Sequence, residues 1–262
     1  MPQIHLHAEP GDYAPVVLLP GDPNRATRIA ARFDGGLEAS RLVTSHRGLL
    51  GYTGTVDGVP VSVQTTMMGA PTTSIVVEEL VMLGVTTFIR VGTTGGFPGT
   101  AIGDAVVALS AAANTGVGHV LGGGEATAPT ADFDVVLALI DAARAAGLTC
   151  HVGPVVTGDY FYDPSPGGSG RWGRRGYLSA EMEAAALFLI CMRERGKGRP
   201  VRAGCILTVS DVIRDAAADA EAVVGREAWF RPPEDEVTRR VDLTIGAAIA
   251  AAAELGRGRT LG

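Results

Sequence analysis

Short runs of this sequence bring together residue types that could do chemistry. In Pro20-Gly21-Asp22-Pro23, with Arg25 close behind, a glycine stands between an apolar run and a helix start. Backbone amides can approach an anion there, and the helix N-terminus adds partial positive charge. An ordinary strand-to-helix turn uses the same residues. In Arg90-Val-Gly-Thr-Thr-Gly95 an arginine lies inside a buried strand that leads into a Thr-Thr-Gly turn. An unpaired buried guanidinium is costly, so Arg90 needs either a bound oxyanion, flanked by the hydroxyls of Thr93 and Thr94, or an internal carboxylate. Ser45-His46-Arg47-Gly48 puts a further arginine in a loop, where a solvated side chain is the default. Glu181-Met182-Glu183 opens an apolar helix. Two carboxylates there either complement the helix dipole or grip the vicinal hydroxyls of a sugar, with the thioether against its ring. Ser210-Asp211 follows a strand, at the end where α/β sheets put ligands, and a helix N-cap is the alternative.

Composition narrows what these runs can serve. The chain has 262 residues, 46% of them apolar, and its 22 basic residues include one lysine, Lys197. Lysine Schiff-base chemistry and phosphate loops ending in Gly-Lys-Ser/Thr therefore have almost nowhere to sit. Anions must be held by backbone amides or by arginines, which act as fixed clamps because they do not deprotonate. A net charge of -6 argues against sequence-independent nucleic-acid binding and favours a small-molecule partner. Cys150, Cys191 and Cys205 lack CxxC spacing and read as buried thiols, with no disulfide or metal site assigned. No apolar run reaches the length of a membrane span, and the N-terminus carries His5, His7 and Glu9 where a signal peptide needs a basic and then an apolar run. A cytoplasmic protein is expected.

The elements that must position these residues alternate between strand-like runs and helical periods. Val16 to Leu19 reads as a buried strand, and Asp22-Pro23 starts a helix reaching about Phe33. Thr53–Val56 and Val59–Thr65 form a hairpin about Asp57-Gly58. A helix after Pro71 carries Ile75, Val76, Glu79, Leu80 and Leu83 at helical spacing and ends at Gly84. Phe88–Val91 and Ala105–Leu109 are strands, and 111–131, rich in Gly, Ala and Thr, is a long loop. Phe133–Ala146 is a helix, Val152–Thr157 a strand, Glu181–Arg195 a helix, Cys205–Val209 a strand and Glu236–Leu255 a closing helix. The rhythm predicts a single α/β domain over residues 1–262, with a central sheet covered by helices on both faces. Asp163 to Arg175, rich in proline and glycine, is a surface loop.

Taken together, HAEPGDYAPVVLLPGDPNRA, HRGLLGYTG, VSVQTTMMGAPTTSIVVEELVMLG, FIRVGTTGG, AEMEAAALF and ILTVSDVIR resemble the ordered motifs of the bacterial nucleoside phosphorylases. That family holds the hexameric purine nucleoside phosphorylases, the uridine phosphorylases and some methylthioadenosine phosphorylases. The resemblance runs from about His5 to Leu255 and is nearest to the purine enzymes. It implies a twisted mixed sheet flanked by helices, a homohexamer built as three dimers, and no cofactor. The implied reaction is reversible: a purine nucleoside and inorganic phosphate, the co-substrate, give free base and pentose 1-phosphate. By motif, Gly21, Arg25, Arg90 and Thr93 would bind phosphate, with Arg47 supplied by the neighbouring subunit. His5, also from the neighbour, would meet the sugar 5′-hydroxyl, Met182 and Glu183 would hold the ribose, and Met68 would pack near it. Phe161 would stack on the base, Thr94, Gly95 and Ala180 would line its pocket, and Asp211 would protonate the departing purine, assisted by Arg226 or Arg214.

Two departures matter. Uridine phosphorylases read uracil with a glutamine shortly after the Phe-Tyr pair, but the glutamines here are Gln3 and Gln64, so a purine is preferred over uridine or methylthioadenosine. Met67 stands where relatives carry glycine, and a side chain there either crowds the phosphate and ribose site or shifts the turn. A nucleosidase would not need the Arg25, Arg47 and Arg90 set, and a non-catalytic nucleoside-binding protein is the reading from another class.

Overall fold

A computed structural model of the protein describes residues 2–163, 168–213, 229–230 and 234–258. In chain order the elements are β1 (Val16–Pro20), α1 (Pro23–Ala30), α2 (Gly36–Ala39), β2 (Arg41–Thr44), a 3-10 turn (His46–Gly48), β3 (Gly51–Val56), β4 (Val59–Gln64), α3 (Ala70–Met82) and β5 (Thr87–Gly96). They continue with β6 (Ala105–Asn114), α4 (Gly116–Leu121), α5 (Phe133–Ala145), β7 (Cys150–Gly158), α6 (Gly170–Gly173), β8 (Ser179–Glu181), α7 (Ala184–Gly196), β9 (Arg202–Ile213), β10 (Trp229–Phe230) and α8 (Glu234–Gly256).

β1 is apolar at every position because helices cover both faces of the sheet. Val17 and Leu19 pack in one layer with Val76 and Leu80 of α3 and Leu187 and Phe188 of α7. Val16 and Leu18 pack in the other, with Ile29 of α1, Leu139 of α5 and Ile245 of α8. Burying those side chains contributes roughly 1.5 to 3 kcal/mol each. The alanines of α8 serve the second layer, where Ala247, Ala248, Ala251 and Ala252 are buried against the sheet. Asp57 and Gly58 turn the β3–β4 hairpin with φ of 49° and 76°, as a two-residue turn of the I′ kind requires.

The sheet is mixed and ten-stranded, in the order β10-β9-β6-β7-β8-β5-β1-β4-β3-β2. β5 pairs with β9 as well as with β1 and β8, so β5, β9, β6, β7 and β8 close into a ring from which β1, β4, β3 and β2 extend as an arm. This closure revises several sequence expectations. β5 does not turn at Thr93 but runs to Gly96, because Thr93 and Thr94 pair with Thr208 and Val209 of β9 while Gly95 pairs with Ala180 of β8. The Ala-rich start of the expected 111–131 loop is strand, held against β7 as far as the Asn114–Gly158 pair, and α4 follows it. Intrinsic strand propensity is low for such residues, and pairing on the sheet overrides it. β9 continues to Ile213, so Asp211 lies within a strand and is not a helix N-cap. Glu181 closes β8 and α7 begins only at Ala184, so neither carboxylate lies in the helix's first turn. Among the described residues, no helix is long and apolar enough to cross a membrane.

Candidate functional site

β1, β4, β5 and β9 are linked by parallel pairings, so their C-terminal ends share one edge of the sheet. Gly21, the turn from Thr65 to Gly69, Thr93 to Gly95, and Asp211 all lie at that edge, the usual place for ligands in parallel sheets. Gly21 packs closely on the turn: a Cβ there would stand 3.1 Å from the Met67 carbonyl oxygen, so that turn would have to give by a few tenths of an ångström. Asp22 caps α1 by accepting from the Asn24 N–H at 2.9 Å. From the first turn of that helix Arg25 reaches β5 and donates through Nη1 to the Val91 carbonyl at 3.2 Å. Its Nε is buried without a hydrogen-bond partner. Burial, reinforced by the charge of Arg90, draws the Arg25 pKa down to about 10.

Arg90 lies on β5, 5% exposed. Its Nε donates to Glu181 at 3.0 Å, its Nη2 pairs with Glu183, and its Nη1 is buried without a partner. Burial opposes the charge, but Glu183 and Glu181 outweigh it and hold the guanidinium firmly protonated. The internal ion pair considered from sequence therefore exists, and it leaves the Nη1 amino group over. Glu181 also accepts the Glu183 amide at 2.9 Å, the Ala184 amide at 2.9 Å and the Thr157 hydroxyl, whose oxygen accepts the Ala185 amide at 2.9 Å. The orphan amides at the start of α7 are thus satisfied from outside the helix. Glu183 accepts the Gly69 amide at 2.6 Å. Burial pushes its carboxyl upward, and neighbouring Glu181 adds to that against the pull of Arg90.

At the other end of the same edge, the Thr94 hydroxyl donates to the Ala180 carbonyl at 2.7 Å, and Gly95 pairs with Ala180 on one side and Asp211 on the other. A Cβ on Gly95 would fall 2.7 Å from Ile213 and 3.0 Å from an Asp211 carboxylate oxygen, so glycine is what lets Asp211 approach. The Ser210 hydroxyl donates to Asp211 at 2.7 Å. Phe161 is 54% exposed and meets Tyr162 edge to face at 5.2 Å. Met182 is half-buried, and Met68 is exposed beside Gly69.

Arg90 and Glu183 are joined by an ion pair and act on the charge of Arg25, while Thr94, Gly95, Ala180 and Asp211 form a second contact group on the same sheet edge; none of the contacts described links His5 or Arg47 to either group. Arg47 is exposed on the 3-10 turn. Met67 has φ of 57°, the left-handed conformation that favours glycine and costs other residues roughly 1 to 2 kcal/mol. Its side chain lies against Gly48, 3.2 Å from where a Cβ would stand, and packs on the buried core. The glycine-like turn is retained, and the extra side chain goes to the Arg47 turn. His5 pairs through Nδ1 with Glu79 at 2.6 Å. Arg214 and Arg226 lie outside the described residues. Among the described residues, no three His, Cys, Asp or Glu side chains gather as metal ligands.

Sequence reasoning gave no ligand-site role to Gly69, Thr157 or Glu79. Gly69 and Thr157 carried no local signal, since their partners are distant in sequence. Glu79 did carry one: it is a carboxylate in the apolar stripe of α3.

Comparison with known proteins adds an independent line. The sequence pattern of the phosphorylase superfamily matches residues 15–241. The chain is 41% identical over 212 residues, 80% of its length and 86% of the relative, to a purine nucleoside phosphorylase DeoD-type of Geobacillus kaustophilus. It is 37% identical over 248 residues, 94% and 98% of the two chains, to one from Clostridium perfringens. A uridine phosphorylase of Thermococcus kodakarensis is 38% identical over 225 residues, 79% of this chain and 76% of that one.

Proposed function

The chain belongs to the phosphorylase superfamily, and from that premise we propose that it is a purine nucleoside phosphorylase, a pentosyltransferase that converts a purine nucleoside and phosphate into free base and pentose 1-phosphate. The observation that carries the phosphate role is that two buried guanidinium nitrogens, Arg25 Nε and Arg90 Nη1, are left without partners near Glu183. Buried donors without acceptors are rare and costly, and an oxyanion supplies acceptors for both.

Charge counting explains why a third arginine is needed. Arg25 and Arg90 are balanced by Glu181 and Glu183, so a phosphate dianion brings negative charge that the cluster alone does not offset. Arg47 of a neighbouring subunit offsets part of that charge, and Gly21 and Thr93 complete the phosphate contacts through amide and hydroxyl. Met182, Met68 and Glu183 hold the ribose, with Glu183 accepting from its hydroxyls and His5 of the neighbour meeting the 5′-hydroxyl. Phosphate held near one face of the sugar stabilises the developing oxocarbenium ion and is itself the nucleophile. Phe161 stacks on the base between Thr94, Gly95 and Ala180. Asp211, protonated, donates to the five-membered ring of the purine so that it leaves neutral, with Arg226 or Arg214 assisting. The protein folds as one unit over 1–262 and works as a cytoplasmic homohexamer in purine salvage, without a cofactor.

The test is base release from inosine, adenosine, guanosine and uridine, side by side, with and without phosphate. Phosphate-dependent turnover of the purine nucleosides is expected. Turnover without phosphate would make the enzyme a nucleosidase; faster turnover of uridine would make it a uridine phosphorylase; binding without turnover would make it a nucleoside-binding protein.

A further inference from the structure

Glu79 is the charged residue in the apolar stripe of α3, 7% exposed beside Val76, Val77 and Leu80. It takes no cation from Lys or Arg in the contacts described. Its carboxylate accepts the His5 amide at 3.1 and 3.2 Å, the Leu6 amide at 2.9 Å and the His5 ring through Nδ1 at 2.6 Å. The His46 ring donates through Nδ1 to the His5 carbonyl at 2.9 Å, and His46 is itself stacked on His7 with centroids 3.7 Å apart. Both backbone groups of His5 and one nitrogen of its ring are therefore fixed. The ring borders an open groove that also includes Ile4, Ile75, Met82 and Val120.

We propose that Glu79 is a positioning residue that holds the proton of neutral His5 on Nδ1 and so presents Nε2 as a bare acceptor, selecting nucleosides that carry a free 5′-hydroxyl. The inference rests on the purine nucleoside phosphorylase reading, in which His5 meets the 5′-hydroxyl of the nucleoside in the adjoining subunit. A carboxylate can only accept, so Nδ1 must donate, and a neutral imidazole has one proton to place. Nε2 is then able to accept from a hydroxyl and has nothing to gain from a 5′-deoxy or 5′-alkylthio sugar. Sites built to hydrogen-bond a substrate hydroxyl discriminate strongly against analogues that lack it.

The experiment compares inosine with 5′-deoxyinosine, in phosphate, for the wild-type enzyme and Glu79→Gln. A glutamine amide can donate as well as accept and no longer dictates the tautomer. The wild type should prefer inosine by at least about tenfold in kcat/KM. Glu79→Gln should shrink that preference to within about threefold by raising the KM for inosine, with 5′-deoxyinosine turned over as before. Equal losses on both substrates, or an unchanged preference, would overturn the inference. Should the variant not fold, neutron diffraction from the whole wild-type enzyme decides: a deuteron on Nδ1 of His5 and none on Nε2 is expected, and one on Nε2 overturns it. Wild-type turnover of neither substrate would instead sink the phosphorylase reading, whereas equal wild-type turnover of both would sink only the role of Nε2.

Discussion

Arg90, Glu181 and Glu183 are 5%, 6% and 4% exposed, whereas Tyr160, Phe161 and Tyr162, after β7 and on the base side of the proposed site, are 69%, 54% and 63% exposed. The first group is cross-linked through ion pairs, the Thr157 hydroxyl and the first amides of α7. In the second, Phe161 and Tyr162 meet edge to face on the surface. Electrostatic stabilisation of a charged transition state depends on dipoles fixed in advance in a dry, low-dielectric setting. Recognition of a flat base needs only an apolar plate that can adjust. The buried polar network thus lies at the proposed reacting end, and the aromatic residues of the proposed base end are exposed.

Removing Arg90 is the severest way to test that contrast. Arg90→Met leaves two buried carboxylates without their cation, so we expect a stability loss of about 3 to 5 kcal/mol in urea unfolding and phosphorolysis lowered by at least about 1,000-fold. Activity within tenfold of wild type would break the comparison outright. Asp211→Asn comes next. It removes the proposed acid but keeps the shape, so purine-nucleoside kcat should fall by about 100-fold or more while KM stays within a few-fold. An unchanged kcat would end the acid role.

The pH profile sharpens the same point. In the proposed site an ionised Glu183 pairs with Arg90 and accepts from both ribose hydroxyls, and burial raises its pKa above the ordinary glutamate value. kcat/KM should therefore fall on the acid side, about tenfold per pH unit, with a midpoint above that value rather than below it. On the base side the effects should be smaller. Phe161→Ala should raise the nucleoside KM by about fivefold to tenfold through lost stacking, with the phosphate KM unmoved. The smallest effect concerns Met67, where the left-handed backbone sets glycine apart from other replacements. Met67→Gly should be more stable than Met67→Ala by about 1 kcal/mol in thermal unfolding, since both lose the packing but glycine alone relieves the backbone. Equal stabilities would show that the turn carries no such penalty.

Much of this site was legible as motifs because its residues come in short runs whose types suit a single chemistry: Gly21 with Arg25, Arg90 with Thr93 and Thr94, Glu181 with Glu183. The α/β architecture was legible because burial on both faces of β1 and the helical period of α3 leave marks within a few residues. What escaped was everything set by pairing at long range. The strand character of Thr93 to Gly96, the length of β6 and the strand position of Asp211 depend on β5 meeting both β8 and β9.

The sequence by itself determined which charges this protein has to work with: arginines in place of lysines, a glycine behind the first strand, paired glutamates before an apolar helix, and one methionine where a glycine is usual. Only the tertiary structure decided how they are shared. It gave Arg90 to two carboxylates while leaving its Nη1 uncommitted, set Arg25 beside it, turned Met67 toward Gly48, and bound His5 to Glu79. The physical reason is that a hydrogen bond is made in space and not along the chain. Glu79 lies 74 residues from His5, and Glu181 lies 91 from Arg90.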